Sequence, residues 1–380
     1  MPKSADTLLG GLTTAEFLRD YWQRRPLVVR GAVPGFVNPI PADELAGMAC
    51  DPEVRSRLIL GHPDRRDWKV EYGPFAPERF GQLPESAWTL LVSEVEQYWE
   101  DGPDWLQRFD FIPRWRRDDL MVSYAAREGS VGPHVDAYDV FLFQAQGQRR
   151  WQIQQPSPKS AICLPALPLA ILRSFEPTSE WVLRPGDMLY LPPGIPHLGM
   201  ALSDGCMTWS IGFRAPAWRD LLAGLLESRL AVTGPELFAD SGRSPVASAH
   251  ELCSEDLAAL REGLLSRLGT DKGELNRFLG EFLTQPSDRE NAPDDAATHV
   301  DADLPYRFDP VLRRFWSEKD DGKMIFLAGH SIFARGLSRD DAENFCTLPM
   351  IIPTEWSPQL PNLMPILENL LADGWIEPDV

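Results

Sequence analysis

The stretch GPHVDAYDVFLF, residues 132–143, sets an imidazole and a carboxylate, His134 and Asp136, at the entrance of an apolar run. If the segment is extended, residues two apart share a face. Polar groups buried there need partners, and a His beside an Asp can share a metal ion. A third ligand must then come from elsewhere in the chain. His62, His250, His299 and His330 lie in polar or turn contexts, whereas His197 closes RPGDMLYLPPGIPHLG. That segment reads as a Gly-Asp turn, an apolar strand and a rigid Pro-Pro-Gly turn, which aims His197 back across a barrel. His-x-Asp followed about 60 residues later by His is the pattern of a 2-His-1-carboxylate facial triad. Such a triad holds Fe(II) on one face of an octahedron and leaves the other positions open. Zinc sites prefer tetrahedral closure with Cys or a third His. The plainer alternative is a hydrogen bond between His134 and Asp136 in a core, with His197 as a turn residue.

Open coordination positions call for a co-substrate. In QRRWQIQ, strand alternation puts Arg149, Trp151 and Ile153 on one face and Arg150, Gln152 and Gln154 on the other. Arg149 thus shares the apolar, inward face, where a guanidinium needs an anion. A dicarboxylate chelating the metal at one end and seated on the Arg149 fork at the other meets both needs. An internal salt bridge is the alternative for Arg149. Tyr138 continues the phase of His134 and Asp136, so it faces the same cavity near its mouth, as a stacking surface or as ordinary wall.

The elements that must position these residues are short. Runs at 26–33, 139–144, 150–154, 181–197 and 207–215, separated by Gly-, Pro- and Asp-rich turns, predict a sandwich or barrel. TTAEFLRDYWQ reads as a Thr-capped helix, and PESAWTLLVSEVEQYWEDG carries a helical period. After Pro216 the texture changes to three amphipathic helices. The first has Leu221, Leu222, Leu225, Leu226 and Leu230 on one face; the second runs from Ser254 to a stop at Gly269; the third stops before Pro286. Their wide apolar faces exceed what so small a module covers and predict self-association. A polar, acidic stretch follows and reads as a linker. KMIFLAGHSIFARG predicts a hairpin turning at Gly329-His330, and LPNLMPILENLLADG a final helix. This set is winged-helix-like, but its helix is acidic, so a protein-contact or structural role is favoured over DNA binding.

The net charge of −19, from 56 acidic against 37 basic residues, disfavours nucleic-acid binding and would attract a basic partner, though from charge alone solubility or an acid-biased proteome is the favoured reading. No run has signal-peptide or membrane-spanning character. Five scattered cysteines without a CxxC pair indicate neither a zinc ribbon nor a disulfide framework. A reducing cytoplasm is the expected location.

VGPHVDAYDVFLFQAQGQRRWQI, LRPGDMLYLPPGIPHLG and SIGFRAP, preceded by FLRDYWQRRPLVVRGA, together resemble the bacterial ribosomal oxygenases. These are JmjC-type hydroxylases dependent on Fe(II), 2-oxoglutarate and O2. The resemblance is dense over about 8–216 and looser beyond. It implies a mixed α+β chain with a double-stranded β-helix (cupin/JmjC) catalytic domain at 1–215 and a helical dimerisation module at 216–286. An acidic linker at 287–304 and a winged-helix-like domain at 305–380 complete it. By position, His134, Asp136 and His197 match the iron ligands, Arg149 the residue holding the distal carboxylate of 2-oxoglutarate, and Ser123 a small polar position near that co-substrate. Tyr138, Met121 and Ile211 are the expected substrate-facing residues. Thr208 stands where relatives carry Asn. The implied reaction is hydroxylation of an arginine β-carbon in a basic large-subunit ribosomal protein by a homodimer. The alternatives are a JmjC hydroxylase or demethylase with another protein substrate, and a non-catalytic metal-binding cupin scaffold.

Overall fold

Short runs of β-branched and aromatic residues build the first half of the chain, and Gly and Pro end them. The structure, a computed structural model, describes residues 8–64, 67–157, 162–165, 167, 169–239, 241, 253–269, 271–286 and 299–379. Two compact units divide the chain at 215/216. The strands of the first are β1 (Leu27–Val29), β2 (Ser56–Leu60), β3 (Lys69–Tyr72), β4 (Trp88–Val92), β5 (Arg117–Ala125), β6 (Asp139–Gln146), β7 (Arg149–Ile153), β8 (Ser179–Leu183), β9 (Met188–Leu191), β10 (His197–Ala201) and β11 (Cys206–Phe213). Eight of them form one antiparallel sheet in the order β1-β9-β6-β11-β5-β4-β2-β3, and β10-β7-β8 form a second.

The large sheet is covered on both faces. Phe141 and Phe143 of β6 point to one side, where Phe141 meets Phe17 with ring centroids 5.7 Å apart. Val140 and Leu142 point to the other and pack with Trp151, Ile153 and Leu183 of the small sheet. Cover on both sides explains why VFLF is a continuous apolar run instead of an alternating one. Phe17 sits on the helix Thr14–Asp20, whose start is a capping box. The Thr13 hydroxyl accepts the Glu16 N–H and the Glu16 carboxylate accepts the Thr13 N–H. Asp139, first residue of β6, is fully buried. It accepts from the Tyr190 hydroxyl (2.6 Å), the Gln23 amide (2.9 Å) and the Arg116 guanidinium (3.3 Å).

One expected helix is a strand. Within 84–102, Trp88–Val92 form β4, paired on one side with β2 and on the other with β5. The sequence TLLV fits both periods, and two neighbouring strands decide between them. Only a 3-10 turn, Val95–Gln97, and the short helix Gly102–Leu106 are helical in that region.

In the second unit the helices Trp218–Val232, Ser254–Leu268 and Lys272–Thr284 lie where the periodicity put them. Gly269 ends the second in the left-handed conformation, at φ 58°, and the Asp271 side chain caps the third. The first two bury no residue within the chain. The rest comprises β12 (Tyr306–Phe308), β13 (Arg314–Lys319), β14 (Gly322–Leu327), β15 (His330–Arg335), β16 (Met350–Ile351) and β17 (Ile376–Pro378). They form the sheets β16-β12-β17 and β13-β14-β15. The β14–β15 turn sits one residue earlier than expected, at Ala328 (φ 48°) and Gly329 (φ 76°), and His330 pairs with Leu327. A two-residue hairpin turn needs positive φ at both central positions. The helix Leu363–Ala372 buries Leu363, Ile366, Leu367, Leu370 and Leu371. Residues 287–298 of the expected linker, and His250, lie outside the described residues. Val300 near the linker's end is buried in the C-terminal core, so 299–304 are not free linker. All five cysteines are unpaired. No described helix is long and apolar enough to cross a membrane.

Candidate metal centre and its cavity

His134 and Asp136 do not lie on a regular strand, as the period-two argument assumed. Gly132, at φ 81°, turns the chain just before them, and His134 sits in an isolated antiparallel bridge with His197. The His134 N–H donates to the His197 carbonyl (3.0 Å), the His197 N–H to the His134 carbonyl (2.9 Å), and the Gly194 N–H to the Asp136 carbonyl (2.8 Å). The Pro-Pro-Gly turn is thus stitched to the HxD segment residue by residue. The six candidate histidines sort accordingly: only His134 and His197 reach this cluster among the described residues.

The ligand atoms of His134, Asp136 and His197 all lie within 4.8 Å of one another. His134 Nε2 is 3.7 Å from Asp136 Oδ1, and His197 Nε2 is 3.5 Å from Asp136 Oδ2. The first separation is too long for the hydrogen bond of the plainer reading. Each Nδ1 instead stands 2.9 Å from a carbonyl, Gly132 for His134 and Ile195 for His197. A carbonyl only accepts, so each Nδ1 carries the proton and each Nε2 lone pair faces the gap. Outer carbonyls that fix the tautomer in this way are the usual support of a metal-binding imidazole. Burial first, then the neighbouring His134, pushes His197 down to about 4, while Asp136 opposes the shift. His197 is therefore neutral near pH 7 and able to bind a cation. Two imidazoles and one carboxylate on one side of an open gap fit a divalent metal of the facial-triad type.

The triad opens into a cavity of about 210 Å³ between the sheets. Arg149 lines it from β7, where Arg149, Trp151 and Ile153 alternate inward as expected. Its Nε and Nη2 atoms are buried and have no hydrogen-bond partner, and no described carboxylate pairs with it. The salt-bridge alternative therefore has no partner among the described residues. Orphaned charged donors are costly, and they fit a carboxylate that enters with a ligand. Trp151 lies beneath, its ring 5.6 Å from the guanidinium carbon. Gly199 on β10 permits this, because a Cβ there would stand 2.6 Å from the indole.

The wall on the large sheet comes from β5 and β11. Met121, Ser123, Thr208 and Ser210 line the cavity, and Tyr138 lines it beside Asp136. Burial raises the Tyr138 hydroxyl well above its ordinary range, with Asp136 adding to the effect. The Ser123 hydroxyl donates to the Thr208 carbonyl (3.2 Å), and the Thr208 hydroxyl to Gln144 Oε1 (3.1 Å). Ile211 does not reach the cavity. It pairs with Leu120 and Phe141 and faces the opposite, aromatic core, because one step along a strand reverses the face. Ser210 occupies the cavity side in its place. Asp119, two residues before Met121 on β5, does not line the cavity. Burial, then Asp118, raises its carboxyl to about 6, and it accepts the Glu94 N–H at 3.3 Å. Ser210 and Arg57 escaped the sequence reading because only strand register brings them to the cavity.

The JmjC domain family matches residues 104–221. The chain is 38% identical over 275 residues to ribosomal protein uL16 3-hydroxylase of Escherichia coli, covering 72% of each. It is 36% identical over 264 residues to a probable ribosomal oxygenase of Haemophilus influenzae, covering 68% of this chain and 64% of that one. The solved structure of E. coli YcfD superposes with a TM-score of 0.79 at 30% identity, over 97% of this chain and 98% of that one. The structure of YcfD, a ribosomal oxygenase from E. coli, in complex with cobalt and 2-oxoglutarate superposes with a TM-score of 0.74 at 28% identity, over 97% and 99%.

Proposed function

Because this chain belongs to the JmjC-domain ribosomal oxygenases, we propose that it hydroxylates an arginine side chain, at the β-carbon, of a basic large-subunit ribosomal protein. It is a 2-oxoglutarate-dependent oxygenase, with Fe(II) as its metal and O2 as oxidant. The observation that carries the reading is the pair of orphaned Arg149 donors in the same cavity as the triad.

His134, Asp136 and His197 would hold the metal, and Arg149 would take the distal carboxylate of 2-oxoglutarate in its planar fork. When bound, Fe(II) and 2-oxoglutarate supply O2 activation, with one oxygen atom leaving in succinate and the other delivered to a substrate C–H bond. Asp136 offsets part of the metal's charge. The Gly132 and Ile195 carbonyls keep both imidazoles oriented. Ser123 and Thr208 give the co-substrate wall fixed hydroxyls, and the VFLF strand keeps the cavity dry. Tyr138 and Met121 would flank the entering side chain. Net charge −19 suits a basic ribosomal protein and speeds encounter.

The exposed Leu222, Leu226 and Leu230, with Leu257, Leu260 and Leu264, support a homodimer through the 216–286 module. Residues 305–380 are read as a winged-helix-like protein-contact domain, since Asp340, Asp341 and Glu343 crowd the helix Arg339–Thr347. A ribosomal substrate places the enzyme in the cytoplasm.

The test is incubation with Fe(II), 2-oxoglutarate and a panel of ribosomal proteins in air. The expected result is a product heavier by one oxygen atom, mapped to arginine, with matching succinate. Oxygen on another residue type would overturn the arginine assignment. Succinate without any modified ribosomal protein would favour another protein substrate, and neither product would favour the scaffold reading.

A further inference from the structure

Arg57 faces the same cavity as the triad, and neither the metal ligands nor Arg149 explains it. It stands on β2, in phase with Ile59, which also lines the cavity. Strand register places it opposite Leu91, Leu91 opposite Ser123, and Ser123 opposite Thr208. Residues directly opposite share a face, so these four form one row across the sheet floor. Strands lie about 4.8 Å apart, which puts the Arg57 backbone roughly 10 Å from that of Ser123. The long arginine stem spans much of that distance. Among the described residues no hydrogen bond or ion pair occupies the Arg57 guanidinium. Its chain neighbour Arg55 behaves differently, pairing with Glu94 at 2.7 Å.

The charges of the cavity then do not balance. Its lining carries the cations Arg149 and Arg57 against the single carboxylate of Asp136. A divalent metal adds two further positive charges, and a dicarboxylate offsets only two of the resulting three. Cations lining a cleft with low-dielectric walls focus the field and raise the local concentration of an anion.

We infer that Arg57 is a second cation for the dicarboxylate co-substrate: its field draws the dianion into the cavity and helps retain it, while Arg149 makes the direct bonds. This rests on reading the cavity as a 2-oxoglutarate site. Arg57 is on this account a positioning residue and not a catalytic one. Its contribution belongs to co-substrate binding and not to the peptide, and it weakens with salt.

The experiment is calorimetric titration of 2-oxoglutarate into the full-length, Co(II)-loaded protein without O2, at low and at high ionic strength. Arg57→Gln is expected to weaken binding roughly three- to tenfold at low salt and to flatten the salt dependence. Arg57→Lys retains the charge and is expected to bind nearly as wild type does. Unchanged affinity in Arg57→Gln would overturn the inference, as would an equal loss in Arg57→Lys, since charge would then not be the agent. A rise in the KM for the protein substrate alone, with co-substrate binding intact, would also overturn it and assign Arg57 to the polypeptide. Wild-type protein that binds no 2-oxoglutarate would instead remove the reading of the cavity itself.

Discussion

His134 and His197 exchange both main-chain hydrogen bonds, at 3.0 and 2.9 Å, and their ring centroids lie 4.2 Å apart. This small ladder ties two ligands distant in sequence together through main-chain bonds that do not pass through an ion. Metal binding therefore does not have to fold the site, unlike in domains whose binding energy is folding energy.

Stripping the metal with a chelator is expected to leave the far-ultraviolet circular dichroism unchanged. Restoring it should raise the melting temperature by mass action alone. His134→Ala should keep the spectrum and lose affinity for Co(II) by about 100-fold or more, with turnover abolished. Cobalt binding at wild-type strength in that variant would remove His134 from the site.

Arg149 makes a prediction in two directions. Its buried Nε and Nη2 lack protein partners, and an unsatisfied buried donor costs about 1–3 kcal/mol. Arg149→Met should make the ligand-free protein more stable by about that amount. The same change should weaken 2-oxoglutarate binding about 10- to 100-fold by deleting charge-assisted hydrogen bonds. Denaturant titration and calorimetry read the two effects separately. A variant that is less stable and still binds would refute the assignment.

Glu96 supplies a pH dependence away from the metal. Burial pushes its carboxyl up to about 7, the Leu120 N–H pulls the other way, and Asp119 and Glu94 add to the rise. The ordinary value is 4.5. A raised acid binds more protons folded than unfolded between these values, so its charge destabilises the fold progressively from 4.5 to about 7 and fully above. Glu96→Gln keeps an acceptor for Leu120 and cannot ionise. It should be more stable than wild type by about 3 kcal/mol near pH 8 and equal to it near pH 4. His197, held down to about 4, works in the opposite sense and loses stability as pH falls from 6.5. Both proteins carry His197, so their difference isolates Glu96. A gap that widened toward acid would contradict the sign.

The helical faces can be tested by charge. Leu226 is 49% and Leu260 45% exposed. Leu226→Glu with Leu260→Glu should convert a dimer to a monomer in light scattering, while Co(II) binding stays unchanged. A dimer mass that persists would move the interface elsewhere.

What the sequence revealed is what local geometry determines. Two-residue spacing brings His134 and Asp136 together even off a regular strand, and alternation alone turns Arg149 inward. Gly269, Asp271 and Pro286 bound their helices through contacts within a few residues. Register between distant strands is not local. It carries Ile211 to the far face, puts Ser210 in the cavity, and lines up Arg57 with Ser123. It also turns a stretch with helical period into β4, because β2 and β5 pair with it from both sides.

Asp139 has a practical meaning for anyone who shortens this chain. One of its donors, Gln23, and the N–H that holds the Tyr190 hydroxyl both come from the segment before Leu27. Trimming the molecule to its first strand would leave a buried carboxylate short of a partner, one residue from Tyr138. The turn that carries Gln23 thus supports the buried start of β6, and a minimal version of the enzyme begins before it.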